Sequence, residues 1–225
     1  QKTIYNSIDE LSKLYKFTIT SPNKADETEI LNIFNGYKSR KKSNYIYRGM
    51  YYAFVKVDYD LMKKYYLMAC ENGDSNAMNR LGRYYEQIDI NHDLMKKYYL
   101  MAIEHGIINS MHNLGLYYHT IELNYDLMKQ YYLMAIELGD VDTMYKLGTY
   151  YYRIEVNRDL MKKYYMMAVE HGDSSAMSDL GLYYDEVEQN YDLMKKYYLM
   201  AIELNNSKAM HNLALYYDEH EQNFE

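Results

Sequence analysis

Asp60-Leu-Met-Lys-Lys-Tyr-Tyr66 recurs at 93–99, 126–132, 159–165 and 192–198, each copy 33 residues after the last. The copies differ at one position, where Gln130 replaces the second lysine. A fixed period of this length, with no insertion to break it, marks an array of stacked units, each packed against its neighbours. That fixes an all-α solenoid as the expected fold and turns the functional question toward binding. An enzyme needs one unique constellation of groups, and this chain offers copies.

The second full copy shows how one unit is built. Asp93 to Glu104 reads as a helix capped by Asp93 and stopped by Gly106. Met95, Tyr98, Tyr99, Ala102 and Ile103 share one face of a 3.6-residue wheel. Leu94, Leu100 and Met101 carry the apolar arc almost all round, which predicts a helix sandwiched between neighbouring units. The stop repeats at Gly73, Gly139 and Gly172, with Asn205 last; glycine and asparagine tolerate the left-handed conformation that closes a helix.

A second helix is expected from about Asn109 to Tyr118, carrying Leu-Gly-x-Tyr-Tyr. That string stands at 81–85, 114–118, 147–151 and 180–184, and Leu213-Ala-Leu-Tyr-Tyr217 ends the series. Glycine inside a helix costs about 1 kcal/mol against alanine, so its recurrence predicts close approach of a partner backbone. Ala77, Ser110, Thr143, Ala176 and Ala209 keep a second position small, forming with the glycines a crevice for tyrosine and methionine side chains. This helix has a polar face whose residues change from copy to copy, whereas the first helix is stereotyped. The variable positions are Asn79, Arg80 and Arg83; His112, Asn113 and Leu116; Tyr145, Lys146 and Thr149; Ser178, Asp179 and Leu182; His211, Asn212 and Leu215. They make the candidate partner-binding surface. Its charge is graded, with Arg80 and Arg83 early and Asp179, Asp185 and Asp218 late. An extended peptide is expected to lay its acidic part near the arginines.

The pattern Asp-x4-Tyr-Tyr-x2-Ala-x3-Gly-x3-Ala-Met-x2-Leu-Gly-x-Tyr-Tyr, read from Asp159 to Tyr184, resembles the Sel-one-like repeat (SLR), a relative of the tetratricopeptide repeat. The matching residues are Tyr164, Tyr165, Ala168, Gly172, Ala176, Leu180, Gly181 and Tyr184, and the resemblance covers roughly residues 44 to 217. It implies a right-handed superhelix of antiparallel helix pairs, with the Leu-Gly helix on the concave side. It also implies an adaptor that assembles protein complexes. The unit is shorter than the usual SLR, because the linker around 119–125 lacks a Gly-rich turn. The 32 tyrosines and absent tryptophan also resemble arrays from AT-rich large DNA viruses.

One period upstream, Gly49, Tyr51 and Tyr52 repeat the second-helix pattern, with Arg48 in place of the core leucine. Residues 1–43, with helices expected over Glu27–Asn35 and Ser7–Lys16, read as a cap, and 44–225 as the array. The array is expected to be cut at its C-terminus, since 218–225 repeats 185–192 and stops where another helix should start. Self-association through that last helix is the alternative function.

The formal charge of −7 disfavours general nucleic-acid binding. No apolar run approaches the ~20 residues of a membrane span. A lone Cys70 occupies the position of Ile103, Ile136, Val169 and Ile202, which reads as a small core residue in a reducing, cytoplasmic compartment, host-cell cytoplasm if the source is viral. The basic cluster Lys38, Arg40, Lys41 and Lys42 reads as a solvated loop. His105, His112 and His119 lie seven apart but lack the i, i+4 pairing of helical metal ligands, so neither a metal nor another cofactor is expected. Methionines at 62, 68, 95 and 101 and their repeats read as adaptable core.

Overall fold

The computed structural model describes residues 45–220, excepting the His220 side chain. The expected cap over 1–43, its two helices, the basic loop and the tail 221–225 lie outside the described residues. Eleven α-helices occur among the described residues, in antiparallel pairs that repeat every 33 positions: an all-α solenoid. The chain divides into two compact units between Ser110 and Met111.

The first unit holds α1 (Tyr45–Tyr51), a π-helical turn (Tyr52–Lys56), α2 (Tyr59–Glu71), α3 (Ser75–Gln87), α4 (His92–Ile103) and the start of α5 (Ile108–Thr120). The second continues α5 into α6 (Tyr125–Glu137), α7 (Val141–Arg153), α8 (Arg158–Glu170), α9 (Ser174–Glu186), α10 (Tyr191–Glu203) and α11 (Ser207–His220). The heptapeptide lies on α2, α4, α6, α8 and α10.

Helix ends follow from short polar residues, though not the expected ones. Asn91, rather than Asp93, caps α4 by accepting from Leu94 N–H at 3.0 Å, and Asp58, Asn124, Asn157 and Asn190 repeat the arrangement. At the other end, Gly139 lies at φ 86° and donates to Ile136, while Asp140 N–H reaches back to Ala135, closing α6 as a Schellman turn. Asn205 takes φ 60° at the equivalent place in the last copy. The return turns put bulkier residues in the left-handed region, with Val57, Leu123, Val156 and Gln189 at φ 51–52°. This is how the linker turns without the glycines of the longer SLR unit.

The glycines of the second helix face a side chain and not the backbone expected from the sequence. A Cβ at Gly148 would fall 2.5 Å from Cδ1 of Tyr165, and one at Gly181 2.5 Å from Cδ1 of Tyr198. Gly49, Gly82 and Gly115 meet Tyr66, Tyr99 and Tyr132 in the same way. The last tyrosine of each heptapeptide therefore packs its ring against the glycine of a helix in the preceding pair. Ala214, at the equivalent position of the last copy, is exposed.

The other conserved residues of the heptapeptide also have structural work. Met95, Met128, Met161 and Met194 are fully buried. The first tyrosine stacks on the last tyrosine of the Leu-Gly-x-Tyr-Tyr string, as in Tyr151–Tyr164 at 5.6 Å and 7° between planes. The pairs Tyr85–Tyr98, Tyr118–Tyr131 and Tyr184–Tyr197 repeat it. The second lysine covers that ring, with Lys163 over Tyr164 at 5.1 Å and Lys97 and Lys196 over Tyr98 and Tyr197. The first lysine lies over a tyrosine of the second helix, as Lys162 does over Tyr183 at 5.2 Å, and pairs with Glu188. At Gln130 the cation over Tyr131 is missing. Gln130→Lys is therefore expected to raise stability by about 0.5 kcal/mol, read as a higher urea midpoint. One expectation fails at the helix surface: Leu100, Leu133, Met166 and Leu199 are exposed, so the stereotyped helix is not apolar-packed all round.

Candidate functional site

The variable residues of the second helix separate into three rows, defined by position in the repeat. The first row is Asn79, His112, Tyr145, Ser178 and His211. In the first unit Asn79 Oδ1 accepts from Ser110 Oγ at 2.9 Å. In the second, His112 Nδ1 lies 3.0 Å from Asp140 and 2.9 Å from Thr143, and Tyr145 Oη donates to Asp179 at 2.9 Å. Each bond crosses to the next repeat. Ser178 is fully buried, and its hydroxyl has no partner among the described residues. Much of this row ties layers together, and only His211 is exposed.

The second row is Arg80, Asn113, Lys146, Asp179 and Asn212. Asp179 receives Tyr145 at 2.9 Å, Tyr165 at 3.5 Å and Lys208 Nζ at 2.7 Å, with its side chain only 11 % exposed. The late negative charge foreseen on this face is thus largely committed to its own neighbours. Asn212 donates to Tyr198 at 3.3 Å. The third row is Arg83, Leu116, Thr149, Leu182 and Leu215. Arg83 and Leu215 are exposed and the others half-buried. Thr149 hydrogen-bonds Tyr165 Oη at 3.1 Å. In the repeat before, Leu116 stands at that position, and the buried Tyr132 hydroxyl has no partner among the described residues. Tyr165→Phe is expected to cost about 1 kcal/mol, while Tyr132→Phe is neutral or stabilising, a contrast that urea unfolding of the two variants measures.

Sequence reading did not single out Asp140 or Lys208 as partners of these rows, and it read Ser110 and Thr143 only as small residues. Asp140 was legible in part, because it occupies the helix-capping position of Asp74 and Asp173. Burial would raise the Asp140 carboxyl, but hydrogen bonds from His112 and Thr143 carry it below its ordinary 3.8. A carboxyl lowered on folding contributes stability that is present above 3.8 and lost as pH falls through the folded value. Asp140→Asn is therefore expected to flatten the fall of unfolding free energy with pH below 3.8, measured by urea titration across that range.

Burial, followed by the Asp179 carboxylate, pushes the Tyr145 hydroxyl up to about 12. Burial, followed by Asp74 and Glu71, pushes the half-buried Cys70 thiol up to about 12, far from a nucleophile's range. Of the three spaced histidines, His105 is exposed, His112 bonds Asp140, and His119 packs edge-on against Tyr125 and Tyr150 at 6.1 Å. Among the described residues no group of three or more His, Cys, Asp or Glu side chains is placed to hold a metal ion. No described helix is long and apolar enough to cross a membrane.

Two open pockets flank the variable rows. In the first unit, one of about 250 Å³ is lined by Phe54, Tyr59, Tyr66, Arg80, Arg83 and Ile88, among others. In the second, one of about 370 Å³ includes Tyr145, Ser178, Asp179, Asn206 and Lys208.

No protein-family model matches the chain, and no curated protein matches its sequence. Solved structures do match. One is the crystal structure of c5321, a protective antigen present in uropathogenic Escherichia coli strains that displays an SLR fold. It has a TM-score of 0.72 and 21% identity over 95% of this chain and 49% of that one. This chain thus spans about half the length of c5321. The Sel1 repeat protein from Oxalobacter formigenes matches with a TM-score of 0.62 and 19% identity, over 88% of this chain and 99% of that one. The chain has the Sel1-like repeat (SLR) α-solenoid fold.

Proposed function

We propose that the chain is a non-enzymatic scaffold that binds a partner protein or peptide on the variable face of its Leu-Gly helices. The carrying observation is the division of labour within each helix pair. The heptapeptide helix is invariant because its methionine, lysines and tyrosines are committed to packing, stacking and ion pairing. The third row of the other helix, with Arg83 and Leu215 exposed, changes chemistry from copy to copy while the fold stays the same. Titratable groups that could suggest chemistry, such as His112, Asp140, Tyr145 and Asp179, are bonded to one another across repeats. A single cysteine, which cannot form an internal disulfide, is what supports the proposed residence in a reducing, cytoplasmic compartment.

Affinity capture from the source cell tests this reading, comparing the native chain with an Arg83→Glu, Lys146→Glu, Leu215→Glu variant. A partner retained by the native chain and lost from the variant, with helical content unchanged, is the expected result. The same partners on both would contradict it. Self-association is a second reading, favoured by the exposure of Met210 at 42 % and Leu215 at 45 % on α11. Light scattering that shows a dimer dissolved by Met210→Glu would select it.

A further inference from the structure

The pocket in the first unit combines features that the other variable positions lack. Arg80 and Arg83, one helical turn apart on α3, both line it, and among the described residues neither guanidinium makes a hydrogen bond or ion pair. Two uncompensated cations at one place stand out in a chain of net charge −7. At the equivalent positions of the second unit, Lys146 is a single cation, with Thr149 in place of a second arginine, and Asp179 is already satisfied by Tyr145, Tyr165 and Lys208.

Beside the arginines and Gln87 the lining is largely apolar. Phe54 is 46 % exposed on the π-helical turn and Ile88 is 47 % exposed just past the end of α3. The π-helical turn takes the place of the last residues of a Leu-Gly helix and carries Phe54 on the pocket wall. Tyr59 and Tyr66 form more of the lining. Guanidinium groups match carboxylates with two parallel N–H···O bonds, and an apolar wall excludes water from those bonds and strengthens them. A floor of rings and aliphatic carbon is suited to an inserted side chain, the usual energetic anchor of a peptide interface.

Resting on the scaffold reading above, we propose that this pocket binds an acidic peptide segment of the partner. A Glu or Asp carboxylate bridges Arg80 and Arg83, and an adjacent large apolar side chain lies against Phe54 and Ile88. The occupant is a peptide because the pocket pairs charge with apolar surface; a phosphate-rich ligand would use the arginines and leave Phe54 and Ile88 idle.

Selection from a displayed library of random dodecapeptides against the full chain tests the proposal, followed by fluorescence anisotropy of a synthetic peptide of the enriched consensus. The expected consensus places an acidic residue within two positions of a Leu, Ile, Phe or Met. Arg80→Glu with Arg83→Glu is expected to weaken that peptide at least ten-fold, as is replacing its acidic residue by the amide. Arg80→Gln with Arg83→Gln weakens it by less, Phe54→Ser weakens it without changing its salt dependence, and the native complex weakens as salt rises. A consensus lacking acid, affinity indifferent to both arginine pairs, or no enrichment would overturn the proposal. Enriched peptides that lose binding only on Lys146→Glu or Leu215→Glu would remove this pocket and leave the scaffold reading standing. Partner capture indifferent to all of these variants would remove the scaffold reading itself.

Discussion

Gly148→Ala is expected to destabilise the protein by about 2–3 kcal/mol, although alanine is the better helix former by about 1 kcal/mol. The new methyl carbon would fall 2.5 Å from Cδ1 of Tyr165 and 2.8 Å from Cε1, both on the near edge of a ring that is 1 % exposed. A ring held on the buried side of two helices has no flexible end to swing aside, so the helices must part. Two controls isolate the cause. Gly139→Ala meets nothing within 4 Å, and its cost of about 1 kcal/mol comes from the φ of 86° alone. In a Tyr165→Ala background the ring is gone, and Gly148→Ala is expected to become neutral or favourable. Urea unfolding of the four proteins in that cycle gives the coupling directly. Additive losses would mean that the glycine serves something other than the tyrosine.

Asp179→Ala is expected to cost about 2–3 kcal/mol, since it strands the Tyr145 hydroxyl and removes the acceptor for Lys208 in one step. Asp179→Asn keeps an acceptor oxygen and gives up the charge, for a loss of about 1 kcal/mol. The same unfolding measurement checks both. The result also decides what the residue is for. A large loss marks Asp179 as a tie between repeats, whereas a neutral Asp179→Ala would return it to the surface available to a partner.

The period made the fold legible, because 33-residue identity cannot be maintained by anything other than stacked equivalent units. The helix-stopping role of Gly106 and Asn205 followed from conformational preference and appears as φ 74° and 60°. What sequence reasoning assigned incorrectly were matters of direction. It made Asp93 the cap when Asn91 takes that role, since both are good caps two residues apart. It gave the recurring glycines a backbone neighbour, when the volume they leave is filled by an aromatic ring from the next helix. The variable face was legible as a set of positions and not as three rows. Whether a polar side chain such as Tyr145 points to solvent or bonds Asp179 depends on a residue 34 positions away. A helical wheel holds no such information. The Phe54 wall was equally hidden, because the π-helical turn that places it follows a string nearly identical to those that stay α-helical.

Hydrogen exchange of the captured complex against the free chain tests the division of labour most directly. Added protection is expected in Ser75–Gln87, Ile108–Thr120, Val141–Arg153, Ser174–Glu186 and Ser207–His220, the helices that carry the variable rows. Protection gained instead along Tyr59–Glu71, His92–Ile103, Tyr125–Glu137, Arg158–Glu170 and Tyr191–Glu203 would place the partner on the heptapeptide helices and contradict the account.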